Sequence, residues 1–264
     1  LTSAMNNPVL PRPPVPRLNA LATAVPGHDI HHAFIEWAAP RLADERLRAL
    51  FARMATRSGI DHRWSVLPPT PTGGSPVATG GFYDVPGLPP TSARMEAYAR
   101  HAPELALRAI AALGEAFDAA RITHIVVASC TGFVAPGIDQ ILARRLGLAP
   151  TVERVLIGFM GCYAGVTALR TARHIVRSDP DAVVLVVSVE LSTLHLSLAD
   201  QPEPLLAMLQ FSDGAAAGIV SAASHGLALG EGRSLALEDS DDLIRWTIGD
   251  KGFEMILSGE VPGR

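Results

Sequence analysis

Cys162 offers the most direct route to covalent chemistry in this sequence. It lies in the run Gly158-Phe159-Met160-Gly161-Cys162-Tyr163-Ala164-Gly165-Val166, after an apolar strand pattern and at the start of an apolar helical one. A thiol at a helix start feels the positive end of the helix dipole, which favours the thiolate and so nucleophilic attack. Gly161 and Gly165 leave space for a substrate to approach and for tight backbone packing around the sulfur. The same setting also suits a small apolar cysteine buried in a strand-to-helix turn. Spacing alone leaves both readings open.

The elements that must hold this thiol read as alternating strands and helices. Residues 124–130 predict a strand, followed by a Thr131-Gly132 turn and a helix over about 136–146. Residues 154–157 predict a short buried strand, 162–178 a helix, and 182–189 an unbroken apolar strand covered on both faces. A last strand spans 214–221 after the turn Ser212-Asp213. Upstream, apolar positions within 28–57 recur at helical spacing, interrupted at Pro40, which predicts two helices joined there. The stretch 68–90 is a loop by its proline and glycine content, and 91–118 reads as one long alanine-rich helix. Residues 8–17 carry five prolines and predict an arm or strand lead-in. The pattern implies an α/β domain with a largely parallel or mixed sheet and right-handed crossovers. Residues 1–222 form its main part, and 223–264 begin a further set of strands too short for a second full domain.

Composition narrows the function classes. The 264 residues carry a formal net charge of −4 with scattered basic residues, so no footprint for a nucleic-acid backbone is visible. Apolar runs such as 182–189 stop well short of the roughly 20 residues of a membrane span. Two cysteines, Cys130 and Cys162, are too few for a disulfide framework and fit a reducing, cytoplasmic setting. No metal site is expected. The sequence opens at Leu1 with its first methionine at Met5 and closes on Glu260-Val261-Pro262-Gly263-Arg264, and the expectation is that both ends are cut. No charged segment leading into an apolar core precedes Pro8, so the opening does not read as a secretory signal.

Three runs carry a resemblance. Ser129-Cys130-Thr131-Gly132-Phe133-Val134-Ala135-Pro136-Gly137, Met160-Gly161-Cys162-Tyr163-Ala164-Gly165 and Phe211-Ser212-Asp213-Gly214-Ala215-Ala216-Ala217 resemble type III polyketide synthases of the chalcone and stilbene synthase family, in that family's order and spacing. The run Trp246-Thr247-Ile248-Gly249-Asp250-Lys251-Gly252-Phe253-Glu254-Met255 is similar to the bacterial members in particular. The resemblance extends from about Pro16 to the end. It implies a thiolase-like fold, a homodimer, and decarboxylative condensation of malonyl-CoA onto an acyl-CoA starter, with CoA thioesters as substrates and no further cofactor. Cys162 would carry the starter and the growing chain as a thioester. Phe211 would be the gate between the CoA tunnel and the cavity, with a core aromatic before a tight turn as the other reading.

The resemblance also places CoA-phosphate contacts on Arg53 and Arg57, an i, i+4 pair that shares one helix face and can meet one pyrophosphate. Leu50 departs where plant members usually carry a lysine. Cavity-shaping roles fall on Thr131, Ser192, His195 and Met255. His195 replaces a smaller residue of the plant enzymes and reads equally as a satisfied structural histidine. Ala135 matches the residue that reaches toward the partner subunit's cavity.

The family also uses a histidine from a His-Pro-Gly-Gly-like motif and an asparagine from a Gly-Asn-like motif. Neither motif follows Cys162 here, and His174 and His225 have a different context. Losing one oxyanion donor costs on the order of 10² to 10³ in rate. The expectation is an amino-terminal part of a type III polyketide synthase, catalytically inactive alone apart from slow acylation of its thiol, and exposing faces that a second half would cover. The alternatives are a ketoacyl-ACP synthase III-like enzyme, a non-catalytic acyl-CoA-binding half-protein and, most remotely, a cysteine hydrolase.

Overall fold

The computed structural model describes residues 14–263. Most of the proline-rich opening and both chain ends therefore lie outside the described residues. The main sheet has six strands in the order β5-β4-β6-β7-β1-β8, formed by β1 (Arg17–Ala24), β4 (His124–Ser129), β5 (Glu153–Gly158), β6 (Val184–Leu191), β7 (Asp213–Ser221) and β8 (Leu227–Ala228). β4 runs parallel to β5 and β6, whereas β6, β7, β1 and β8 pair antiparallel, so the sheet is mixed.

Strand periodicity sends alternate side chains to opposite layers. Ile125, Val127, Leu185, Val187 and Val189 pack with the buried face of α3 (Thr91–Ala111), which includes Leu105, Ala106 and Ile110. Val126, Ala128, Val184 and Val186 pack on the other side against α5 (Ala164–Ser178). That helix buries Ala164, Ala168, Ala172 and Val176, a stripe with four-residue spacing whose small side chains bring the helix close to the sheet. The expected pair of early helices is present as α1 (His31–Ala38) and α2 (Glu45–Arg57), separated by a short 3₁₀ turn containing Pro40. Asp44 caps α2, its carboxylate accepting from the Leu47 amide at 2.8 Å.

Four readings of the sequence need correction. β5 is an exposed edge, with Val155 and Leu156 37% and 45% accessible, because β4 pairs with only one of its sides. The long helix ends at Ala111, and the rest of its expected span contains one short 3₁₀ turn, Gly114–Ala116. A helix before β7 was not expected: α6 (Pro202–Gln210) has Pro202 at its first turn, where proline costs no hydrogen bond. Finally, β8 pairs with β1 in the main sheet. The later strands β9 (Ile244–Gly249) and β10 (Gly252–Leu257) form a separate hairpin, and β2 (His28–Asp29) pairs with β3 (Trp64–Ser65).

Candidate active site

The carboxyl ends of β4, β5 and β6, the loop before β7 and the β9–β10 hairpin enclose a cavity of about 930 Å³. Cys162, Thr131, Ser192, His195, Phe211 and Met255 all line it, so one cavity collects six of the residues singled out in the sequence. Arg53 and Arg57 are outside its lining. They sit exposed on α2, neither engaged in an ion pair among the described residues.

Cys162 lies two residues before α5, not within it, on an exposed turn. The strand leading into that turn is the exposed β5, which corrects the expectation of a buried lead-in. The chain reverses through Phe159 at φ +53° and Gly161 at φ +78°. A side chain in the left-handed region costs roughly 1 kcal/mol or more, so Phe159 marks local strain at the approach to the thiol. Tyr163, the residue before α5, places no side chain on the helix amides. The turn into α5 is closed by the Ala164 amide donating to the Gly161 carbonyl at 3.0 Å.

The part of the lining around residues 193–196 is bonded at almost every polar group. The Thr193 amide and hydroxyl donate to Asp213 at 2.8 and 2.7 Å, and the Thr193 carbonyl accepts from the Tyr83 hydroxyl. Asp213 also accepts from the Val66 amide at 2.8 Å, and burial pushes its carboxyl up to about 6. Arg94, fully buried, donates through Nη1 to the carbonyls of Leu194 and Leu196 at 2.8 Å each. The Phe253 amide donates to His195 Nδ1 at 2.9 Å, which leaves Nε2–H to donate to the Thr131 carbonyl at 2.7 Å. Both ring nitrogens are used within the protein, and burial holds the ring neutral with its pKa down to about 4. His195 therefore shapes the wall, stacked on Phe253 at 4.3 Å, and has no nitrogen left for a ligand.

Two groups in this wall escaped sequence reasoning. Glu190 accepts from the Cys130 amide at 2.8 and 3.0 Å and from the Thr131 hydroxyl at 2.6 Å. Burial raises its carboxyl to about 7 against the effect of those bonds, so it can exchange a proton inside the cavity near neutral pH. Its only sequence signal is a lone acid at the end of an apolar strand. Trp246 closes the cavity from the hairpin side, its indole donating to the Cys130 carbonyl at 2.8 Å. Thr131 spends its hydroxyl on Glu190 and accepts from the Leu191 amide, so it ties β4 to β6. Gly132 is required because a side chain there would enter the Tyr98 ring. Cys130 is a second free thiol in the lining, buried and pushed up in pKa by burial. Among the described residues no cluster of His, Cys, Asp and Glu suits a metal, and no helix is long and apolar enough to cross a membrane.

A mixed sheet sandwiched between helices is the fold shared with solved thiolase-like type III polyketide synthase structures. PKS-I from the brown alga Ectocarpus siliculosus superposes with a TM-score of 0.81 at 26% identity, over 96% of this chain and 69% of that one. The 1,3,6,8-tetrahydroxynaphthalene synthase of Streptomyces coelicolor A3(2) gives 0.78 at 27% identity, over 94% and 69%. Residues 18–224 match the family model of the chalcone and stilbene synthase N-terminal domain, and the chain belongs to that family. The alpha-pyrone synthesis polyketide synthase-like Pks18 of Mycobacterium tuberculosis is 35% identical over 181 residues, 64% of this chain and 46% of that protein. Bisdemethoxycurcumin synthase of Oryza sativa subsp. japonica is 34% identical over 191 residues, 68% and 46%. The chain thus spans about half the length of the curated relatives it matches.

Proposed function

We propose that this chain is the acyl-loading part of a type III polyketide synthase, with Cys162 as its nucleophile. The observation that carries this reading is an exposed thiol on a strained turn that opens into a cavity of about 930 Å³. In the loading step the Cys162 sulfur attacks the carbonyl carbon of an acyl-CoA, and the carbon–sulfur bond to CoA breaks. CoA leaves as the thiol, taking the proton that the cysteine gave up. Arg53 and Arg57, exposed on α2 and unpaired among the described residues, are suited to the CoA phosphates. Phe211, Ser192, Met255 and Thr131 bound the space that receives the acyl chain.

Extension by malonyl-CoA needs an enolate to be stabilised while carbon dioxide leaves. The histidine and asparagine motifs that activate the cysteine and serve this step in the family do not occur in this sequence, so the chain alone loads an acyl group slowly and does not extend it. The homodimer implied by the family is supported by the open β5 edge, with Leu156 exposed on it and Phe159 and Met160 exposed just after it. The test is to mix the chain with hexanoyl-CoA and follow free CoA. The expected result is release of about one equivalent and no pyrone or resorcinol when malonyl-CoA is added. Absence of CoA release overturns the loading role, and sustained product formation overturns the inactivity of the isolated chain.

A further inference from the structure

Two thiols share the cavity, and the loading step uses one of them. Cys130 and Cys162 are the two cysteines of the sequence, both free, and both line the same space. Cys130 directly follows β4, where its amide donates to Glu190 and its carbonyl accepts from the Trp246 indole, so its backbone is held from two sides. Its Sγ donates to the Gly161 carbonyl at 3.8 Å, and that carbonyl belongs to the peptide joining Gly161 to Cys162. Standard bond lengths then put the two Cα atoms within about 9.5 Å of each other. A disulfide spans Cα separations up to about 7 Å, so closure asks for a shift of no more than about 3 Å. The part free to shift is the turn: Gly161, at φ +78°, carries no side chain to obstruct it, and Cys162 beside it is exposed.

The two thiols also differ in the way such a pair requires. Burial pushes Cys130 up in pKa and keeps it as the thiol, whereas Cys162 is open to solutes. An exposed thiol meets a small oxidant first, and a neighbouring thiol can capture its sulfenic acid before more oxygen is added.

We propose that Cys130 is a resolving thiol for Cys162, closing an intramolecular Cys130–Cys162 disulfide when the chain meets hydrogen peroxide. The Cys162 sulfur takes one oxygen from the peroxide, giving the sulfenic acid and one water. The Cys130 sulfur then attacks the Cys162 sulfur, the sulfur–oxygen bond breaks, and hydroxide leaves with the Cys130 proton as a second water. Two thiols lose two electrons, and one peroxide gains them. The cross-link withholds the sulfur that acyl loading needs and spares it from sulfinic acid, which added thiols do not reverse. The pairing stands apart from the polyketide reading, and only its effect on acyl loading rests on that reading.

The test is brief exposure of the wild-type chain to hydrogen peroxide, alkylation in denaturant with N-ethylmaleimide, and non-reducing intact-mass and peptide mapping. The expected product is a monomer whose Cys130 and Cys162 peptides are linked and unalkylated, with both cysteines alkylated once dithiothreitol is added. CoA release from hexanoyl-CoA should fall at least about tenfold on oxidation and return on reduction. Cys130→Ser keeps the backbone bonds to Glu190 and Trp246. In that variant the same peroxide should carry Cys162 to sulfinic acid, and dithiothreitol should not restore CoA release. Sulfinic acid at Cys162 of the wild-type chain with Cys130 still alkylated overturns the proposal, as does a disulfide found only between two chains. If the serine variant does not fold, the wild-type map decides by itself. A chain that closes the internal disulfide but releases no CoA before oxidation defeats the loading reading alone. One that releases CoA and fails to cross-link defeats this inference alone.

Discussion

At Thr193–Leu196 the cavity wall is bonded from four directions, by Asp213, Tyr83, Arg94 and Phe253 or Thr131 through His195. In the same cavity, the turn that bears Cys162 exposes Phe159, Met160 and Tyr163 at 39%, 38% and 53%, and rests on few hydrogen bonds. A wall that sets the shape of a bound chain gains from rigidity, because ordering is complete before the ligand arrives. A nucleophile that must meet a large thioester gains from access. On the proposed loading role, the contrast assigns binding and chemistry to different parts of one cavity.

The bonded wall should break hardest. Asp213→Ala leaves the Val66 amide and the Thr193 amide and hydroxyl without acceptors and should cost about 3 kcal/mol or more in denaturant unfolding. Next in size is the pH response of Glu190. Its carboxyl is raised from 4.5 in the unfolded chain to about 7, so the protonated form is favoured by folding. The stability it contributes is fully present below pH 4.5 and is lost as pH rises through 7. Unfolding midpoints of the wild-type chain and Glu190→Gln between pH 4.5 and 8 should converge at the acid end and separate at neutral pH, with the variant the more stable. His195→Phe keeps a ring against Phe253 but orphans the Phe253 amide and the Thr131 carbonyl, and should cost about 2 kcal/mol.

The exposed turn should respond in rate rather than in stability. Gly161→Ala places a side chain at φ +78° and should cost only about 1 kcal/mol, while slowing alkylation of Cys162 by iodoacetamide as the turn readjusts. Met160→Ala, at a 38% accessible position, should change stability by less than about 0.5 kcal/mol. A stability loss at Met160 as large as that at Asp213 would remove the distinction between the two walls.

The same contrast explains what could be read from sequence. β6 was legible because a run of valine and leucine buried on both faces leaves an unbroken apolar pattern. β5 carries a similar run, yet its exposure depends on which strand lacks a neighbour, and pairing is not encoded locally. Cys162, Phe211 and Met255 were found through their motifs, and the cavity does bring them together. Glu190 was missed because burial makes it notable, and its partner Cys130 is 60 residues away in sequence. His195 was seen but left ambiguous, since its two hydrogen bonds come from β10 and the turn after β4.

The most direct measurement is peptide mapping by mass spectrometry after incubating the chain with hexanoyl-CoA. A hexanoyl adduct is expected on the peptide containing Cys162, with none on Cys130 and none anywhere in Cys162→Ala. No adduct, or one that persists in Cys162→Ala, would contradict the assignment of Cys162 as the acyl carrier.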